Sequence, residues 1–563
     1  MRYSILVDIY EKLENEPSKL KKTEILSELL KETSTEQLSK VVLLASGKIF
    51  PTQSEEKTGI ADKIIIKTLV RTTGVTEKEI IKKFKKLGDL GLVVEECMKS
   101  KKQASLFKKE LTIDLVFNNL QQLSKLEGKG SQERKMNFIS QLLSSSKPKE
   151  AKYIVRTALE TLRIGVAEGI IRDSIAQAFN VDKKAVEDAW FLNPDYGEIT
   201  KIAKEKGKNG LKKINLTIGK PYIMMLGEKS PSLEEALNSY EEVMLEYKYD
   251  GIRTQIHKKE DDIKLFTRNL EDITDQFPDL VKLVKQAINC KDCIIEGETI
   301  GIDPKTNQPI PFKQLSRRIQ RKYDIKEMSK KNPIRIYLFD AIRINGKNLI
   351  NETYKSRRKE LEKIIKPVKN KFELSHAIKT KDLKEAEKFY KQSLKDKQEG
   401  LMVKNLNAIY QPGRRVGQWL KVKPILEPLD LAIIKAEYGT GKRSNWFGSF
   451  TLGCIKDTQS DEYLPCGKLG TGLTDEEFKE LTKRLKPLII KEEGREVELL
   501  PKVIIEVAYE QIQKSPTYES GYALRFPRLI GFKTDRNFPN ELEKLKRLFN
   551  QQFKSKSEKN KLD

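Results

Sequence analysis

Near residues 215–225 the hydrophobic repeat of this chain changes period, and that change limits what it can fold into more than any other feature. Before it, stretches such as LVDIYEKLENE, KTEILSELLKE and KMNFISQLLSSS place apolar residues at i, i+3, i+4 and i+7, with few Gly or Pro to interrupt them. That spacing gathers the apolar side chains into one stripe along a helix. After it, Gly219 and Pro221 break the chain. Short runs of β type follow (VMLEYKYD, IKLFTRN, CIIEGETIG, IRIYLFDAI, GLMVKN), with helical pieces such as TYKSRRKELEKII and LKEAEKFYKQSL between them. A second change comes at Pro424 and Pro428. Beyond it, strand-like LDLAIIKAEYG, GSFTLGCIKD and VIIEVAYEQI alternate with glycine-rich turns. The pattern predicts a multidomain chain: all-α over 1–215, α+β over 216–425, a small all-β barrel over 426–555 and a frayed polar tail over 556–563.

At 563 residues the chain exceeds a single core, and its net charge of +25 favours a polyanionic partner. The surplus is spread along the whole length, as expected where several domains touch that partner. No apolar run approaches the ~20 residues a membrane crossing needs, so a location inside the cell is expected. The five cysteines fit a reducing compartment. Cys290 and Cys293 form a lone CxxC, without the two further ligands that a structural zinc site requires.

The stretch EYKYDGIR is the most informative. In an extended conformation Glu246, Lys248 and Asp250 point one way, and Val243, Leu245, Tyr247 and Tyr249 the other. A lysine turned inward between two carboxylates is a poor solvated edge. Glu296 and Glu298 share a face of a largely apolar run, and Glu399 enters the strand of Leu401, Met402 and Val403. Carboxylates beside buried strands need a cation, and Mg²⁺ suits such hard oxygens when phosphates are near. In QPGRRVGQWLKVKP, Lys421 and Lys423 recur at a two-residue spacing behind Arg414 and Arg415. An anion between them removes their mutual repulsion. Arg268, Arg525 and Arg528 add planar forks suited to phosphate, and Phe339 is either a core aromatic or a platform for a base.

Taken in order, EYKYDGIR, FTRN, IIEGETIG, YLFDAI, EGLMVK, WLKVK and LRFPRL resemble the motifs of covalent nucleotidyltransferases. Among these the chain is similar to ATP-dependent DNA ligases of the archaeal and eukaryotic replicative type, and LRIGVAEGIIRDSIAQAF resembles their helical DNA-binding domain. The resemblance implies a DNA-binding domain, an adenylation domain and an oligonucleotide-binding (OB) barrel. It implies ATP and Mg²⁺ (or Mn²⁺) as cofactors and nicked duplex DNA as substrate. It also implies a sliding clamp as a partner, a monomeric state, and work in replication, repair, recombination and cell division.

Residue by residue, Lys248 would become adenylylated, Glu246 would contact the adenine amino group and Phe339 would stack on the base. Arg253 and Arg268 would hold ribose and phosphate, with Glu298 at the ribose or metal. Asp250, Glu298 and Glu399 would be metal carboxylates. Arg415, Lys421 and Lys423 would grip the phosphates, with Arg525 and Arg528 acting from the barrel. The family follows RFPR with basic residues ending in Asp–Lys. Here LIGFKTDR places Asp535 before Arg536, and Lys533 or Arg536 stands in for the usual lysine. Nearby cations and desolvation are expected to lower the Lys248 pKa. An mRNA capping enzyme or RNA ligase would share the lysine motif but not the helical N-terminal third. An NAD-dependent ligase would bring a nicotinamide-recognition segment and a four-cysteine zinc module. A non-catalytic DNA clamp would not need the polar set.

Overall fold

The computed structural model describes every residue except 55, 101–109, 129, 320–322, 414, 425, 458, 534–537 and 553–563, and the side chains at 415, 416 and 442. The chain forms two compact units, Met1–Ile64 with Gln103–Lys423, and Ile65–Lys102 with Pro424–Asp563. No described helix is long and apolar enough to cross a membrane.

In the first unit, the regular structure before residue 215 is helical. Helices begin where Ser18, Thr112 and Asp195 accept the first free backbone N–H groups. Helices Tyr3–Asn15 and Pro148–Ala158 are tied by charge as well as by apolar contact. Glu14 accepts two hydrogen bonds from Arg156, at 2.9 and 3.0 Å, while Lys152 lies 2.7 Å from Glu11 and 2.8 Å from Glu14. Arg172 is likewise occupied by Asp173 and Glu187. Arg156 and Arg172 therefore hold helices together.

Beyond the helices, twelve strands among the described residues build two sheets: β1 (Leu226–Lys229), β2 (Val243–Tyr247), β3 (Ile252–Lys259), β4 (Asp262–Thr267), β5 (Asp292–Ile302), β6 (Pro309–Ile310), β7 (Ile334–Ile344), β8 (Lys347–Asn348), β9 (Phe372–Leu374), β10 (Ala377–Lys379), β11 (Leu401–Asn405) and β12 (Arg415–Val422). One sheet runs β1-β12-β11-β2-β10. The other runs β4-β3-β5-β7-β8, with β6 on β5 and β9 on β7. The alternation read from the sequence sorts their faces. Val243, Leu245 and Tyr247 turn to a core with Leu401, Val403, Leu420 and Val422, against helices Leu233–Asn238 and Leu383–Lys395. Ile256, Ile295, Ile336 and Leu338 turn to a second core that includes Leu280 and Val284 of helix Pro278–Ala287. The opposite faces carry the polar side chains and meet at a cluster holding Ile294, Phe339, Ile342, Tyr410 and Trp419.

The second unit holds helices Glu77–Leu87 and Leu90–Lys99 and the barrel strands β13 (Leu429–Tyr438), β14 (Phe447–Ile455), β15 (Tyr463–Leu469), β16 (Ile489–Glu493), β17 (Glu496–Leu499), β18 (Ile504–Ala508), β19 (Gln511–Lys514), β20 (Tyr522–Arg525) and β21 (Arg528–Phe532). β13 is the hub, pairing with β14, β17 and β18, with β21 on β18, while β19 and β20 pair with each other in a two-stranded sheet. Helices Asp475–Leu485 and Leu542–Gln551 add Phe478, Leu481, Leu545 and Leu548 to its core. The tail 556–563 lies outside the described residues.

Candidate active site

Lys248 follows the last residue of β2, where its backbone is pinned to the approach of β11. Its N–H donates to Gly400 O at 2.9 Å, and Glu399 N–H donates back to Lys248 O at 2.9 Å. Gly400 has φ +131°, and a Cβ there would lie 2.2 Å from Val422 O, so only glycine brings Glu399 this close. Gly251 is fixed for a related reason, since a Cβ would meet Thr299 O at 2.4 Å.

These turns bring three side chains together. Lys248 Nζ donates to Glu399, and Lys423 Nζ stands 3.1 Å from the same carboxylate. Burial pushes the Glu399 carboxyl up, but Lys248 and Lys423 outweigh it and hold the group at about 2. Burial alone would lower the Lys248 amine. Glu399, with Glu298 and Asp250 behind it, reverses the sign and raises it. The expected depression of Lys248 is therefore corrected for this arrangement: the strongest neighbour is a carboxylate. Glu298 feels the opposite imbalance. Burial, helped by Glu399 and Asp250, outweighs Lys248 and Arg253 and pushes it up to about 7. Asp250 also accepts from Phe312 N–H at 3.3 Å.

Beside this charged cluster lies an aromatic wall. The Arg253 guanidinium sits 5.5 Å from the Phe339 ring centre and 5.3 Å from that of Trp419, donating to Met225 O at 2.7 Å and to Glu296 at 2.6 Å. Glu296 is fully buried and also accepts from the Tyr222 and Tyr410 hydroxyls, so it braces Arg253 from behind. Arg253 Nε and Trp419 Nε1 are buried donors with no protein acceptor. Met402 packs against the same cluster.

Family models for the DNA ligase N terminus, the ATP-dependent DNA ligase domain and the ATP-dependent DNA ligase C-terminal region match residues 2–176, 224–423 and 443–536. The DNA ligase of Nanoarchaeum equitans is 44% identical, covering 97% of this chain and 98% of its own. That of Thermococcus onnurineus is 42% identical, covering 99% of each. The chain belongs to the ATP-dependent DNA ligase family. A solved structure named "Pmar-Lig_PreS3" superposes with a TM-score of 0.57 at 18% identity, over 94% of this chain and 99% of that one, a likeness of fold.

Within the ligase, the first unit thus brings Lys248, Asp250, Arg253, Glu298, Phe339, Glu399 and Lys423 into one neighbourhood. Lys421 stands opposite Met402 across β11 and β12, and Arg268 is exposed on the turn after β4. The Arg415 side chain lies outside the described residues. Glu246 is 2% exposed, tied to the Tyr354 hydroxyl, to Ser375 Oγ at 3.0 Å and to Lys404 Nζ at 2.9 Å. Sequence reasoning missed these three partners, although Lys404 ends the EGLMVK motif and falls on the same face as Met402. In the second unit, Arg525 lies on β20 with its guanidinium 5.4 Å from the Phe526 ring centre, exposed Arg528 begins β21, and Lys533 pairs with Glu506 at 3.3 Å. Asp535 and Arg536 lie outside the described residues.

Proposed function

We propose that this ligase seals nicks in duplex DNA with Lys248 as its nucleophile. The observation that carries the reading is the Lys248–Glu399–Lys423 triad beside the Phe339–Arg253–Trp419 wall. Two cations sharing one half-buried carboxylate make a site that phosphate oxygens can enter by displacing it. The unsatisfied donors on Arg253 and Trp419 favour a ligand rich in acceptors, and Phe339 offers a flat apolar surface to a base.

In the first step Lys248 Nζ, having lost its proton, attacks the α-phosphorus of ATP; the P–N bond forms, and the bond to pyrophosphate breaks. The 5′-phosphate at a nick then displaces the lysine and becomes DNA-adenylate. The neighbouring 3′-hydroxyl attacks that phosphate, AMP leaves, and the strand is closed. Lys248 must give up its salt bridge before the first step, because a protonated amine has no lone pair. Lys423, freed from Glu399, then faces the negative charge developing on the phosphate oxygens, and Arg253 stays in place through Glu296.

Among the described residues, no three His, Cys, Asp or Glu side chains form a metal cage. Mg²⁺ or Mn²⁺ would arrive with phosphates, since Mg²⁺ commonly uses only one or two carboxylates beside them. Glu298 and Asp250 would hold it, with Glu399 joining once its lysines turn away. When bound, the ion neutralises phosphate charge. Arg268, Arg415 and Lys421 are assigned to ribose and phosphate, and Arg525, Arg528, Lys533, Asp535 and Arg536 to the barrel's part in adenylylation. We assign 1–215 to DNA binding, 216–425 to adenylation and 426–555 to the OB barrel, in a monomer working inside the cell with a sliding clamp as partner.

Incubation with α-labelled ATP and Mg²⁺ should attach label through an acid-labile bond, and nicked duplex should then discharge it. Full labelling of Lys248→Ala would overturn the assignment.

A further inference from the structure

Arg253, Gln255 and His257 alternate along β3, so they share one face. All three hold the same strap of chain. His257 Nδ1 accepts from Gly219 N–H at 3.1 Å, Gln255 accepts from Tyr222 N–H at 3.3 Å and donates to Tyr222 O at 2.6 Å, and Arg253 donates to Met225 O at 2.7 Å. The strap comes from the helical region, to which it is still tied where Ile223 N–H donates to Phe191 O at 2.8 Å. Tyr410, 1% exposed, closes the arrangement. Its hydroxyl oxygen accepts from Met225 N–H at 2.9 Å, and its proton goes to Glu296, whose other oxygen takes the second arm of Arg253 at 2.6 Å. One hydroxyl thus touches, in Met225 and Glu296, both groups that accept from the Arg253 fork. The Tyr222 hydroxyl donates to the same Glu296 oxygen as Tyr410 and reaches one of the two.

We propose that Tyr410 is a positioning residue for adenylylation: it fixes both acceptors of the Arg253 fork, so that the remaining donor, Nε, is aimed at the nucleotide. This rests on the reading of the site as a nucleotide pocket. A guanidinium is planar, so two fixed acceptors set both its plane and the direction of its third donor. That donor is buried and has no protein acceptor. Tyr410→Phe would keep the ring and its edge-on contact with Trp419, centre to centre 6.1 Å, while removing the hydroxyl. Met225 N–H then loses its acceptor and Glu296 loses one of its two tyrosine donors. Buried polar groups left unmatched are costly, so the strap and the carboxylate shift to find other partners. Arg253 moves with them, and a displacement of ~1 Å in a substrate-holding group costs up to about 10²-fold.

The test measures first-order labelling of the full-length protein over a range of α-labelled ATP concentrations, at a temperature where circular dichroism shows every variant folded. Tyr410→Phe should raise the half-saturating ATP concentration about tenfold and lower the maximal rate by less than about threefold, the split expected when a binding contact is mismatched. Tyr222→Phe, which leaves Met225 held, should raise that concentration by less than about threefold. In an Arg253→Lys background, which lacks the fork, Tyr410→Phe should add less than about twofold, because its effect runs through Arg253. Losses that multiply in the double variant would mean that Tyr410 acts by general packing, and would overturn the proposal. So would an unchanged half-saturating concentration in Tyr410→Phe, or equal effects of the two tyrosine variants. Should the Arg253→Lys background fail to fold, the comparison of the two tyrosine variants decides alone. Absence of any label on wild type would instead strike the reading of the site.

Discussion

With its carboxyl pushed up to about 7, Glu298 titrates where the reaction would be assayed. Below that value it is protonated and offers no anionic oxygen to a cation. Lys248, raised by Glu399, holds fewer neutral amines at the same low pH. Both effects slow adenylylation as pH falls, so its rate should drop through about pH 7, and the limb near 7 should vanish in Glu298→Gln while slower labelling persists. Stability runs the other way. Between the ordinary 4.5 and about 7 the folded chain holds a proton that the unfolded chain has lost, so stability falls as pH rises through that window. Glu298→Gln should therefore melt higher than wild type at pH 8 and not at pH 5; equal shifts at both would refute the cause. Functional groups of this kind are kept at a cost in stability.

At the scale of elements, the two sheets were legible because strand alternation and the chemistry share a period of two. Glu246 and Lys248 on one side, with Leu245 and Tyr247 on the other, are as much a folding instruction as a catalytic one. The supports of the site were not legible. Tyr222, Tyr354, Ser375 and Tyr410 reach Glu246 and Glu296 from segments far along the chain. In sequence a buried tyrosine that holds a carboxylate looks like any core tyrosine. The helical region hid its arginines in the same way. Arg156 belongs to the net positive charge that favours a polyanionic partner, yet it is 2% exposed and paired to Glu14. Glu11 and Glu14 are held at about 2, because their Lys152, Arg156 and Tyr153 bonds outweigh burial. Their stabilising contribution is whole above 4.5 and is lost as pH falls toward about 2. Glu14→Ala, which strands Arg156 and Lys152, should cost about 3 kcal/mol at neutral pH. Circular dichroism during thermal melting reads this directly, and a variant as stable as wild type would remove the pair from the account.

Across the whole molecule the +25 charge becomes a statement about salt. Binding of nicked duplex should weaken steeply with ionic strength, by about 10³-fold or more between 50 and 200 mM salt if six or more phosphates are neutralised. Labelling by ATP, which meets a few enclosed cations, should respond far less. Filter binding and labelling over one salt series separate the two, and parallel slopes would mean that the distributed charge does not contact DNA. Composition announced the charge but not its division between duplex binding and internal ties such as Arg156 to Glu14. The salt bridge between Lys248 and Glu399 has one more consequence in so lysine-rich a chain. Acylating and carbamylating agents react with free amines, and an ammonium clamped by a half-buried carboxylate presents none. Surface lysines would be consumed first, leaving the one amine the ligase needs chemically intact until a nucleotide opens its clamp.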